Sequence, residues 1–158
     1  AREFLDVGRL IHVPKSIGRA ERALRLAVEH ANQRTTFGQP LAKRQAIQWM
    51  LADSATELHA ARLMTYHAAW KADQGMDFHV EASQVKLYAD EMYMRVVDRA
   101  LQIHGGLGLS RDLPLELMFR DARSRLITEG SSEMQRMIIA SDLLSGRFSL
   151  NRLVPRSQ

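Results

Sequence analysis

"FHVEASQVKLYADEMYMRVVDRALQIH" (residues 78–104) is the stretch whose reading decides the fold. Val85, Tyr88, Met92, Val96, Ala100 and Ile103 recur at steps of three and four, which aligns them on one face of an α-helix. Gly105 and Gly106 then stop it. The same period runs through the chain on its N-terminal side. Ile17, Ala20, Leu24, Ala27 and Ala31 share a face of a helix predicted over 11–33. Ile47, Met50, Leu51, Ser54, Leu58, Ala61 and Thr65 share one predicted over 42–72. "RTTFGQP" (34–40) separates these two, and Gly75 in "DQGMD" ends the second. Further on, "GLGLSRDLP" (106–114) reads as a loop. Pro114 suits the first turn of a short helix, "PLELMFRDAR" (114–123). A last helix is predicted over 132–145.

No alternating β pattern persists, and Ala, Leu and Met outnumber aromatics, which are only 6%. The expected fold is all-α, an antiparallel up-down four-helix bundle with a short extra helix. At 158 residues the chain suits one domain, assigned to 1–150 with 151–158 as a tail.

Composition narrows the function. There is no cysteine, which removes disulfides, thiolate metal sites and cysteine nucleophiles. A di-iron bundle needs Glu-x-x-His pairs, and none of the six histidines has a glutamate three positions before it. No metal is expected. The net charge of +4 is spread without aromatic interleaving, so nucleic acid is not an expected partner. No apolar run has the length of a membrane span, and the N-terminus lacks the layout of a signal peptide.

Three segments have the residue types for chemistry. In "QRTTFGQPLAKRQ" (33–45), Arg34 is either a solvated cation at a turn or a fork for an anionic oxygen, with Phe37 as a flat face beside it. In "QIHGGLGLS" (102–110), three glycines within four residues serve turn chemistry or the close approach of a ligand. In "TEGSSEMQR" (128–136), the start of the last helix can hold an anion on free amides or be capped by Ser131 or Ser132. Glu129 just before it is an ordinary helix-start charge or a placed carboxylate.

Taken in order, these segments and "LADSATELHAARLMTYHAAWKADQG" (51–75) resemble the C-terminal helical domain of the acyl-CoA dehydrogenase family. The likeness covers about residues 6–147. The resemblance implies a flavoprotein oxidoreductase of fatty acid metabolism whose N-terminal helical and middle β domains are absent from this chain. It implies FAD as cofactor and an acyl-CoA thioester as substrate, in the mitochondrial matrix or bacterial cytoplasm. Electron-transfer flavoprotein is the expected acceptor, and a homodimer or homotetramer the expected assembly.

Residue by residue, Arg34, Phe37 and Gly38 match the family's Arg-x-x-Phe-Gly, whose Arg meets the FAD pyrophosphate of the neighbouring subunit. Gln45 also falls at a flavin contact. Gln102, Ile103, His104, Gly105 and Gly106 match the segment around the adenosine end. Ser131 and Glu133 fall at FAD-touching positions. Asp6 and Arg9 match an Asp-x-x-Arg of the acyl-CoA site, and Gly130 is also assigned to substrate. Glu129 matches the base that takes the α-proton while a hydride leaves the β-carbon for the flavin. Its own backbone N–H and a flavin hydroxyl polarise the thioester carbonyl, a preorganised electrostatic contribution. Some relatives hold the base on the first helix, at the position occupied here by Gly8. Thr128, Ser131 and Leu109 depart from the usual residues at their positions.

Overall fold

The computed structural model describes residues 2–148, so the 151–158 tail lies outside it. The elements are α1 (Arg2–Gln33), β1 (Thr35–Thr36), β2 (Gln39–Pro40), α2 (Gln45–Asp73), α3 (His79–His104), α4 (Leu115–Arg125) and α5 (Ser132–Leu144). Short 3-10 turns cover Leu41–Lys43 and Gly105–Leu109. The bundle is all-α apart from β1 and β2, which pair antiparallel. Their two-residue turn needs positive φ at both central positions, supplied by Phe37 (50°) and Gly38 (78°).

The first helix starts well before the predicted residue 11 and carries Pro14 inside it. Proline costs one backbone bond there, but burial of Asp6, Arg9, Val13 and Ile17 holds the early turns on the body. "DVGR" is therefore helix interior. The segment expected to be loop at 106–114 opens as a 3-10 turn.

α3 is the hub and touches each of the other four helices. It runs parallel to α1 in constant register. Asp6 meets His79, Arg9 meets Ser83, Ser16 meets Asp90 and His30 meets His104, each pair 73 or 74 residues apart. α2 is antiparallel to both: Glu21 pairs with Arg62, while Lys71 pairs with Glu81 and Arg99 with Glu57. Small side chains (Ala20, Ala23, Ala27 and Ala31 on α1; Ala82, Ala89 and Ala100 on α3) are fully or almost fully buried and let the backbones approach.

Tyr93, fully buried, donates its hydroxyl to Met118 O at 3.0 Å and ties α4 to α3. Such a bond contributes about 1 kcal/mol. Buried Lys86 donates to Arg125 O at 3.0 Å and pairs with Asp90 at 3.2 Å. Asp90 also accepts from Ser16 Oγ at 2.6 Å. Burial pushes the Asp90 carboxyl up, against the pull of Ser16 and Lys86. Among the described residues no helix is long and apolar enough to cross a membrane, and no three potential ligands gather around a metal position.

Candidate functional site

The turn between α4 and α5 is built around two left-handed residues, Glu129 (φ 56°) and Gly130 (φ 86°). Ser132 N donates to Leu126 O at 3.0 Å and closes it. Ser131 Oγ accepts from Met134 N and caps α5. Gln135, fully buried, reaches back from α5 and donates its amide to Gly130 O at 3.0 Å and Glu129 O at 3.4 Å. The left-handed conformation of Glu129 is thus held by side-chain bonds from the next helix. Glu133 is exposed; its own amide and then the Ser131 hydroxyl hold its carboxyl below the usual range.

The Glu129 carboxylate lies over the N-terminal half of α1. Its Oε1 is 3.4 Å from His12 Nε2. Its Oε2 is 4.0 Å from the point where a Cβ on Gly8 would stand. The two alternative base positions named above therefore converge on one place. The Glu129 side chain is 41% exposed. Its backbone N–H has no acceptor among the described residues.

Asp6 and Arg9 lie one turn away but face inward. Arg9 Nη1 donates to Asp6 Oδ1 at 2.8 Å and to Ser83 Oγ at 3.3 Å, and Asp6 also accepts from His79 Nδ1 at 2.8 Å. Both are nearly buried, and among their fully buried side-chain atoms only Arg9 Nε is left without a partner. They clamp α1 onto α3.

The remaining residues gather at the far end of α1. His30 and His104 stack with centroids 4.3 Å apart. His104 Nδ1 donates to Ala100 O at 2.8 Å and is buried, as is Ile103, so neither offers a free side chain. Burial, then His104, then Arg34 keep the His30 pKa low. Arg34, Gln45 and Gln102 are exposed and make no side-chain bond among the described residues. Phe37 is 97% exposed, with the Arg44 guanidinium 5.4 Å from its ring centroid. No atom lies within 4 Å of a Cβ built on Gly105 or Gly106. An idle guanidinium, a bare aromatic face, two idle amides and an open glycine pair fit a large anionic, aromatic cofactor such as FAD.

The structure thus makes two groups. Gly8, His12 and Glu129 meet at one end. Arg34, His30, His104 and the glycines meet at the other. Gly8 and His30 are about 33 Å apart along the helix, from its rise per residue. Sequence reasoning missed His12, Gln135, His79 and Arg125. None of the four gave a local signal, and Gln135 least of all, because the buried face of α5 is polar (Ser132, Gln135, Asp142) while Met134 and Met137 are exposed.

Residues 1–144 match the family model described as acyl-CoA dehydrogenase, C-terminal domain. The chain is 46% identical over 144 residues to a 3-(aryl)acrylate reductase of Clostridium sporogenes, covering 91% of this chain and 38% of that one. A subunit of the caffeyl-CoA reductase–Etf complex of Acetobacterium woodii is 44% identical, with the same 91% and 38% coverage. Butyryl-CoA dehydrogenase from Megasphaera elsdenii superposes with a TM-score of 0.88 at 41% identity, over 90% of this chain and 37% of that one. The chain spans little more than a third of these relatives. Over that third the chain superposes on a member of the family whose model it matches, and it belongs to that family as an acyl-CoA dehydrogenase C-terminal domain.

Proposed function

We propose that this domain supplies the catalytic base of an FAD-dependent acyl-CoA dehydrogenase. The observation that carries the reading is the carboxylate of Glu129 standing over side-chain-free Gly8, with its own N–H unpartnered. A thioester seated there would place its α-carbon beside Glu129 and its carbonyl oxygen in reach of that N–H. The α-proton is weakly acidic, so donation to the carbonyl lowers the barrier as charge develops on oxygen. Glu129 then accepts the proton as general base. Gly8 leaves the acyl chain the space that the base itself fills in relatives that hold it on the first helix.

FAD, when bound, supplies the acceptor for the β-hydride. Arg34 would meet its pyrophosphate, Phe37 and Gln45 its flavin half, and Gln102, Gly105 and Gly106 its adenosine end. Ser131 and Glu133 would flank it beside Glu129. Ile103 and His104, being buried, would contribute backbone only. Asp6 and Arg9 would shape the acyl-CoA site through their clamp, and Gly130 would border the substrate. The span between the two groups supports a homodimer, or a pair of dimers, in which Arg34 of one copy serves the site at Glu129 of another. Electron-transfer flavoprotein is the proposed acceptor, in line with the Etf complex of the Acetobacterium relative. The location is the mitochondrial matrix or bacterial cytoplasm.

The test is Glu129→Gln in the full-length enzyme. Exchange of the substrate α-proton with solvent should fall by about 10²-fold or more, with flavin absorbance retained. Normal exchange in that variant would remove the assignment of the base.

A further inference from the structure

We propose that His12 is a positioning residue for Glu129, locked by Arg125 into one neutral tautomer. This rests on the reading of Glu129 as the base. Arg125 Nη1 lies 3.0 Å from His12 Nδ1. A guanidinium has only donors, so Nδ1 must accept. The ring proton is then on Nε2, the nitrogen 3.4 Å from Glu129 Oε1. A doubly protonated ring would set N–H against N–H, so Arg125 selects the neutral form.

Arg125 is itself held. Its Nε lies 3.7 Å from Asp121 Oδ2, and its carbonyl accepts from Lys86 at 3.0 Å. Side-chain exposure rises along the line, from 14% at Arg125 to 32% at His12 and 41% at Glu129. An interior anchor is therefore relayed to a surface carboxylate. The charged groups facing His12 are Arg125 from α4 and Glu129 from the turn, with Asp121 and Lys86 behind. On α1 itself, Arg9 is turned inward to Asp6 and Ser83. Gly8, one turn before His12, has no side chain to intervene.

The consequence is a division of labour between the two carboxylate oxygens. Oε1 is the oxygen that lies nearer His12 Nε2, at an ion-pair separation of 3.4 Å. Oε2, which faces the space over Gly8, is left to take the α-proton. The proton passes from the α-carbon to Oε2, and none leaves His12.

Two measurements test this. In the 15N-histidine-labelled chain at neutral pH, His12 should show an unprotonated Nδ1 and a protonated Nε2, and Arg125→Leu should abolish that preference. An Nδ1–H tautomer, or an imidazolium, overturns the proposal. In the full-length enzyme, His12→Leu should slow α-proton exchange about 10- to 100-fold with flavin absorbance unchanged. His12→Gln, which carries one donor and one acceptor, should recover most of the loss. Wild-type exchange in His12→Leu, or no recovery in His12→Gln, overturns the positioning role alone. Normal exchange in Glu129→Gln would instead remove the base reading and this role with it.

Discussion

Glu129 stands in a conformation that few side chains adopt, and Gln135 is the reason it stays there. The neighbouring Gly130 has φ 86°, and a Cβ added to it would meet Gln135 Nε2 at 2.7 Å. Gly130→Ala should therefore destabilise the domain by about 1–3 kcal/mol, read as a lower urea midpoint at unchanged slope. Gly8→Ala should go the other way. Its methyl would sit at ordinary contact distance from Glu129 Oε2, 4.0 Å, and an alanine in a helix is favoured over glycine by up to about 1 kcal/mol. A rise in the denaturation midpoint would check it. At this scale the sequence spoke unevenly. Glu129, Gly130 and Ser131 were readable because caps, left-handed turns and acids at helix starts are local features. His12 was not, because Arg125 lies 113 residues away from it. Asp6 and Arg9 were assigned to the acyl-CoA site only through the resemblance, and nothing local announces that His79 and Ser83 will enclose them.

Among elements, the contact of α1 with α3 carries both the core and the polar clamps. The sharpest case is Asp90, bound across to Ser16 of α1 and paired on α3 with buried Lys86, which also reaches α4. Removing Lys86 leaves Asp90 buried without its cation, so Lys86→Ala should cost about 3–5 kcal/mol. Lys86→Met combined with Asp90→Leu should cost much less, and comparison of the two by chemical denaturation separates lost charge pairing from lost packing. At the other end of the same contact, His30 titrates below its ordinary value of 6.5 because of burial, His104 and Arg34. The unfolded chain then binds more protons than the folded one between those values. Stability should fall as the pH drops below 6.5 and level off once the pH passes below the folded value. His30→Gln should flatten that part of the profile in melts between neutral pH and about pH 5.5. The helices themselves were legible because the apolar period is strong. The early turns of α1 were not, because their buried face is made of Asp6 and Arg9, which no apolar stripe reveals.

For the whole molecule, the separation of Glu129 from Arg34 has a direct test in the full-length enzyme. Glu129→Gln and Arg34→Ala should each be inactive or weak alone. If Arg34 serves a neighbour, mixed oligomers of the two variants contain sites in which both wild-type residues meet, and part of the activity should return. No recovery on mixing and reassembly would place both residues at one site of one copy. The 158-residue chain alone should turn over no acyl-CoA with an electron acceptor, because its Glu129 side chain is 41% exposed to water, which a general base for a weakly acidic proton needs excluded. The bundle and its family were legible throughout the sequence. Which ends of the helices meet was not, because that depends on the parallel course of α1 and α3.

That parallel course limits how such a chain can vary in length over evolution. The four contacts from Asp6–His79 to His30–His104 keep an offset of 73 or 74 residues. One residue inserted between Ser16 and His30 would turn the rest of α1 by about 100° and break the pairing at one end. Insertions and deletions should therefore be tolerated at residues 74–78 or 110–112, outside the turn in which buried Gly108 packs on Leu101, and rejected within α1 and α3 unless both change together. An insertion scan scored for soluble expression would draw that map.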